Sequence, residues 1–250
     1  MKNIIRKFTK KPVYKIIRKL SRGLGYDIIP LPTQKVGVDP YLDMKKFITN
    51  NTPVFFDVGA NYGQTIDEII SVFENYEINS FEPSPAVFEF LRNKTSKMEK
   101  INIWNCGIGS SAKPLLLNEN THQNMSSFLE IGKDGWGSID HTTSVPVTTI
   151  DKFCEEQNIK RIDVLKIDTQ GFELEVFKGA KNSMENNRIG LLYFEVTFID
   201  MYKGIPTFGE LYDFAINNGF ELITIYPIKY KNNLAGWTDV LFKHKSYNPI

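Results

Sequence analysis

Five polar residues fall where apolar stretches stop: Asp57, Glu82, Asn105, Asp168 and Glu195. In open α/β sheets ligands bind beyond the carboxyl ends of the strands, so side chains at those ends share one edge of the sheet. The most informative stretch is Val54-Phe55-Phe56-Asp57-Val58-Gly59-Ala60-Asn61-Tyr62-Gly63, with Phe81-Glu82-Pro83 about twenty residues further on. Apolar residues before an acid read as a parallel strand buried on both faces. Gly59 and Gly63 permit positive φ and let a ligand approach the backbone closely. A carboxylate at Glu82 can accept two hydrogen bonds from a ribose diol. The pattern is a strand–turn–helix–strand nucleoside site.

Other residues carry chemistry less specifically. Asn105 and Cys106, before Gly107, would place a side-chain amide against an adenine edge. Lys166, Asp168 and Glu173 cluster around Thr169-Gln170-Gly171. Lys166, Glu173 and Glu195 fit a catalytic pocket, and equally the buried ion pairs that tie strands to helices. His122 or His141 could serve as a general base, the role histidine most often fills, although a histidine in a loop is commonly just solvated. Ser126 and Ser127 are candidate acceptor contacts or loop hydrogen-bonders. Cys154 reads as core.

These residues need a scaffold, and the chain supplies alternating strands and helices. Strands are expected over 53–58, 78–81, 101–105, 164–168 and 191–196. Helices are expected over 64–73, 85–95 (with Ser84 as N-cap), 150–156, 173–186 and 208–217. A terminal pair at 221–225 and 240–243 completes the sheet, its last strand free to run antiparallel. This is α/β, a doubly wound and mostly parallel sheet. Residues 107–150 break the alternation, with short strands expected at 115–117, 127–131 and 144–148. Such a stretch is too long for a plain connection, so it covers or completes a site. Before the core lie an extended linker over 28–40 and a short helix over 41–49.

A chain of 250 residues, 42% hydrophobic, suits one full α/β domain with an appendage. Its net charge of +1 gives no general pull toward nucleic acid, and no nucleic-acid partner is expected. Charge is uneven, however: residues 1–26 hold nine basic residues (Lys2, Arg6, Lys7, Lys10, Lys11, Lys15, Arg18, Lys19, Arg22) and no acid. Val13, Ile16, Ile17, Leu20 and Leu24 fall at helical spacing among them. Such a helix lies on an anionic membrane or caps the main domain. Two distant cysteines, the lack of a spanning apolar run and the lack of a signal-peptide pattern point to the cytoplasm, with the inner membrane surface open to the basic helix.

The ordered motifs resemble the FkbM family of S-adenosylmethionine-dependent methyltransferases, of the class I fold. The match runs through 56–64, Phe81-Glu82-Pro83, Asn105-Cys106-Gly107-Ile108-Gly109, Ser126-Ser127 and Val147-Thr148-Thr149-Ile150-Asp151. It continues through 163–173, Gly179-Ala180 and the strand ending in Glu195, so it covers 52–244. The resemblance implies a Rossmann-like, mostly parallel seven-stranded sheet with helices on both faces, as a methyltransferase domain over 51–245 with a β-rich insert at 107–150. Residues 1–50 lie outside the resemblance and read from their own pattern as an N-terminal helical extension, a basic amphipathic helix with a linker or cap region.

It further implies that Asp57, Gly59, Ala60, Asn61 and Gly63 wrap the methionine part of S-adenosylmethionine. Glu82 with Pro83 would hold the ribose, Asn105 and Cys106 would border the adenine, and Asp168 would lie near the methyl donor. Asp168, Glu173, Glu195 and Lys166 are then the catalytic candidates, and His122, Ser126 and Ser127 the acceptor contacts. The family mostly methylates hydroxyl oxygens, often of sugars, glycolipid-type acceptors or polyketides. A hydroxyl needs a base or a metal to become a good nucleophile, and the need for a divalent metal stays open. The expected activity is O-methylation of a sugar, glycan or glycolipid precursor. A nicotinamide-dependent oxidoreductase is the first alternative, weakened because Gly59-Ala60-Asn61-Tyr62-Gly63 lacks the Gly-x-Gly-x-x-Gly fingerprint. An inactive, membrane-docking scaffold of the same fold is the second.

Overall fold

The computed structural model describes residues 12–25 and 36–247. Lys2, Arg6, Lys7, Lys10 and Lys11, and the linker expected over 28–35, lie outside the described residues. Contacts divide the chain into two units, Met1–Gly37 and Val38–Ile250. In the first, α1 (Pro12–Gly23) is the expected amphipathic helix. Proline opens it at a position where the missing N–H has no partner to lose.

The second unit starts with α2 (Pro40–Lys45), shorter than the helix expected there and capped by Asp39, whose carboxylate accepts from the Leu42 N–H at 3.0 Å. The contact division falls after residue 37, within the stretch expected as a cap or linker region. Tyr41 and Met44 of α2 pack in one apolar layer with Phe55, Ile66 and Ile78.

The core follows as β1 (Val54–Val58), α3 (Gln64–Val72), β2 (Glu77–Phe81), α4 (Pro85–Thr95) and β3 (Ile101–Trp104). The insert contributes β4 (Gly107–Ile108), β5 (Leu115–Asn120), a 3-10 turn at Gln123–Met125, β6 (Ile139–Val145) and β7 (Val147–Thr148). Then come α5 (Ile150–Glu156), β8 (Ile162–Ile167), α6 (Glu173–Gly179), α7 (Lys181–Glu185), β9 (Ile189–Thr197) and α8 (Phe208–Asn217). The end of the chain supplies β10 (Phe220–Ile225), β11 (Lys229–Lys231) and β12 (Leu234–His244).

Two expectations change. The strand expected at 127–131 reduces to single bridges, Asn118 with Ser127 and Ile131 with Tyr202. The helix expected over 173–186 breaks at Gly179, where a Cβ would lie 2.0 Å from the Gly109 carbonyl oxygen. That close backbone approach fixes the insert's first strand against the helix layer.

The main sheet has the order β10-β12-β9-β8-β1-β2-β3, with β11 beside β12. The expected seven strands are present and β11 is an eighth. β1 pairs in parallel with β2 and β8, as do β2 with β3 and β8 with β9, while β12 runs antiparallel to β9 and β10. Alternation along β1 sends Phe56 and Val58 into one layer with Phe81, Phe177 and Phe194, and Phe55 into the other. From β1 the chain first builds outward to β2 and β3, then returns to place β8 on the opposite side of β1. This reversal is the topological switch point, and it opens a crevice at the carboxyl ends of β1 and β8.

Candidate active site

A cavity of about 350 Å³ occupies that crevice, a size typical of small-molecule sites. Its first wall is the turn after β1. The Gly59 and Ala60 N–H groups both donate to the Phe81 carbonyl at 3.0 Å, which folds the turn over β2. Gly59 holds φ +81, and a Cβ there would sit 1.9 Å from the Asp168 carbonyl oxygen. The ends of β1 and β8 can meet only because this residue has no side chain. Gly59, Ala60 and Asn61 line the cavity; Gly63, at the start of α3, does not.

Glu82 lines the cavity and is buried. Its Oε2 accepts the Asn61 N–H and its Oε1 the Ser84 N–H, each at 2.8 Å. Each oxygen keeps a lone pair for a further donor. Burial pushes this carboxyl up to about 7, against the pull of the two N–H groups. Pro83 also lines the cavity. Asn105 and Cys106, expected against an adenine, do not. Asn105 instead donates through Nδ2 to the carbonyls of Glu82 (2.9 Å) and Pro83 (3.2 Å), bracing the strand end from behind. Cys106 packs against the core, where burial pushes its thiol up to about 11.

Asp57 is also displaced from its expected role. It is fully buried beneath the cavity floor, not part of the lining. The Lys166 ammonium meets its Oδ1 at 3.0 Å as an ion pair, and the Ser80 hydroxyl approaches Oδ2 at 3.5 Å. Lys166 does line the cavity, donating to the Gly59 carbonyl at 3.2 Å and standing 3.9 Å from Asp168. Burial opposes its charge, but Asp57 and then Asp168 outweigh burial and raise its pKa.

Asp168, Glu195 and Asp239 stand at the far side of the cavity. Asp168 receives a hydrogen bond from Gln170 Nε2 at 2.8 Å. Gln170, left-handed at φ +55, accepts in turn from the Tyr202 hydroxyl at 2.9 Å, and that hydroxyl also reaches the Met125 carbonyl at 3.1 Å. Glu195 and Asp239 face each other across β9 and β12. Like charges directly opposite in a sheet repel. Desolvation, Asp168 and then Asp239 raise the Glu195 carboxyl well above the ordinary range; desolvation and then Asp168 raise Asp239. Lys229 lines the same end.

Glu173 was a catalytic candidate but does not reach the cavity. Its Oε1 accepts from the Thr169 N–H (3.0 Å), the Thr169 hydroxyl (3.1 Å) and the Gly171 N–H (3.2 Å), holding the loop after β8. Ser126 and Ser127 line the cavity, with the Ser127 hydroxyl donating to the Gln170 carbonyl at 2.7 Å. His122 is exposed and outside the lining. His141 is 58% exposed and held between Glu119 and Asp140, both of which raise its pKa. Among the described residues no group of three or more His, Cys, Asp or Glu is placed to hold a metal ion.

Sequence reasoning missed Tyr41, Gln170, Tyr193, Lys229 and Asp239, all of which line the cavity. Asp239 had a usable signal: an acid opening the apolar run Val240-Leu241-Phe242, the counterpart of Glu195 closing its own. Tyr41 had none, because it lies before the first core strand.

The sequence model of the methyltransferase FkbM domain matches residues 57–222, well over half of the chain. The chain belongs to the FkbM methyltransferase family. Among its relatives is 2-O-methyltransferase NoeI of Sinorhizobium fredii, 23% identical over 189 residues that cover 70% of this chain and 75% of NoeI. Another is hexuronic acid methyltransferase AglP of Haloferax volcanii, 28% identical over 136 residues, 53% of this chain and about half (52%) of AglP. Among solved structures, TrmK of M. capricolum, in complex with S-adenosyl-homocysteine, superposes with a TM-score of 0.50 at 9% identity, over 83% of this chain and 69% of that one. That likeness establishes the Rossmann-like class I fold.

The FkbM-family chain is thus an S-adenosylmethionine-dependent methyltransferase, and its cavity suits that donor. The two open lone pairs of Glu82 match the two hydroxyls of a ribose. The lining carries five acidic residues (Glu68, Glu82, Asp168, Glu195, Asp239) against two lysines, and a sulfonium cation among them would offset the burial and repulsion that raise Glu195 and Asp239.

Proposed function

We propose that this FkbM-family methyltransferase transfers a methyl group to a hydroxyl oxygen of a sugar, free or within a glycan or glycolipid precursor. The observation that carries the reading is the convergence of Asp168, just after β8, Glu195, near the end of β9, and Asp239, midway along β12, on the cavity that Glu82 also lines. A polyhydroxylated acceptor matches several carboxylates in one wall, since each hydroxyl is a donor that a carboxylate oxygen can accept. The names of NoeI and AglP support a sugar acceptor.

In this reading S-adenosylmethionine supplies an electrophilic methyl group on its sulfonium sulfur. Glu82 would hold the ribose diol, and the turn at Gly59, Ala60 and Asn61 would hold the methionine part. Much of the rate comes from alignment of donor and acceptor. A sugar hydroxyl is a poor nucleophile until its proton leaves. Asp168, oriented by Gln170 and flanked by Lys166, takes that proton, while Glu195 and Asp239 accept hydrogen bonds from neighbouring hydroxyls. Ser126 and Ser127 extend this wall from the insert. Asp57 and Glu173 act only as positioning residues.

The test is transfer of labelled methyl from S-adenosylmethionine to methyl glycosides, nucleotide sugars, lipid-linked glycans and small phenols, with and without magnesium. The expected product is a sugar methyl ether. Asp168→Asn should lower kcat while leaving S-adenosylhomocysteine affinity within about twofold, a change below 0.5 kcal/mol. Methylation of phenols alone would overturn the sugar assignment. A loss of affinity as large as the loss of turnover would make Asp168 a binding residue.

A further inference from the structure

The methyl-transfer reading leaves α1 unused. Along Pro12–Gly23 and the turn after it, four aliphatic side chains are exposed: Ile16 by 58%, Ile17 by 40%, Leu20 by 66% and Leu24 by 78%. At about 100° per residue they project within one arc of about 100°. Lys15, Arg18, Lys19 and Arg22 project within an equal arc on the opposite side. No acid interrupts either face; indeed residues 1–26 contain none. Among the described residues no helix is long and apolar enough to cross a membrane.

We infer that α1 is an interfacial anchor that lies in the surface of an anionic lipid bilayer. Its aliphatic arc enters the boundary between headgroups and acyl chains, and its basic arc meets the anionic headgroups. Charge complementarity selects the occupant: a stripe of aliphatics with cations opposite and no acid beside it matches a negatively charged lipid surface. A protein groove would satisfy the aliphatic arc but gives no reason for acids to be missing over 26 residues. Nucleic acid would satisfy the cations but leave the aliphatics in water. The inference does not depend on which acceptor is methylated.

Co-sedimentation of the full chain with phosphatidylcholine vesicles, with and without phosphatidylglycerol, tests this. The full chain should sediment with the anionic vesicles and stay in solution with the neutral ones, and added salt should release it. Lys15→Gln/Lys19→Gln should weaken anionic-vesicle binding about thirtyfold, from about 1 kcal/mol per basic residue near the surface. Ile16→Ser/Leu20→Ser should weaken it too, at any salt concentration. All four positions are exposed, so S-adenosylhomocysteine binding should match the parent in both variants and report an intact fold. Equal partitioning of the parent onto both vesicle types would overturn the inference. So would an Ile16→Ser/Leu20→Ser variant that binds the anionic vesicles like the parent.

Discussion

Glu82 shows how a single side chain couples folding to ligand binding. Its carboxyl titrates near 7 in the folded chain because burial opposes its charge. Between the ordinary carboxylate range and 7 the folded form holds a proton that the unfolded chain has released. Stability therefore falls as pH rises through this window. A ribose diol donates to the ionised form, so S-adenosylhomocysteine affinity should rise from about pH 6 to about pH 8. Glu82→Gln should bind more weakly and lose that pH dependence, as calorimetric titration would record. Tyr202 belongs to the same scale. Its hydroxyl holds Gln170, which holds Asp168. Tyr202→Phe should lower kcat about tenfold, the effect of roughly 1.4 kcal/mol on the barrier, with S-adenosylhomocysteine affinity kept.

At the scale of elements, the site exists because β1 and β8 end side by side. Asp57 and Lys166 lie on those two strands in direct register. A contact of Asp57 with the methionine part, as the resemblance implies, would make Asp57→Ala a loss of cofactor affinity with the fold intact. With Asp57 fully buried against Lys166, the substitution leaves a buried cation unpaired. It should cost about 3–5 kcal/mol of stability by denaturant titration. The opposed acids of β9 and β12 act in reverse. Burial raises Asp239, so its ionisation destabilises the fold as pH rises. Asp239→Asn should thus unfold at a higher temperature than the parent in mildly alkaline buffer, equal it in acid, and lose methyl transfer. A pair kept only for stability would not behave so, and this contrast tests whether the opposed acids belong to a functional wall.

At the scale of the whole molecule, the boundary matters. The contact-defined unit starts at Val38, and α2 gives it Met44, fully buried, and Tyr41 in the cavity lining. A chain beginning at Val38 should bind S-adenosylhomocysteine like the parent, whereas one beginning at residue 51 should bind weakly and melt earlier. By the contact division, residues 38–50 belong with the main fold, and the proposed anchor helix lies in the other unit. Apolar periodicity and turn glycines made nearly every strand and helix of the core legible, because each burial pattern is local. The same pattern over-called a strand at 127–131, where no partner offers a continuous ladder. The sequence by itself determined the class of fold, the turn at Gly59 and the acids at the strand ends, since strand polarity and glycine geometry are properties of short segments. Only the tertiary structure decided which of those acids face the cavity. Asp57 and Glu173 point away into ion-pair and loop-bracing roles, while Asp239 arrives from a strand more than forty residues beyond Glu195. The reason is that pairing register and layer packing, which set where a side chain points, join residues distant in the chain.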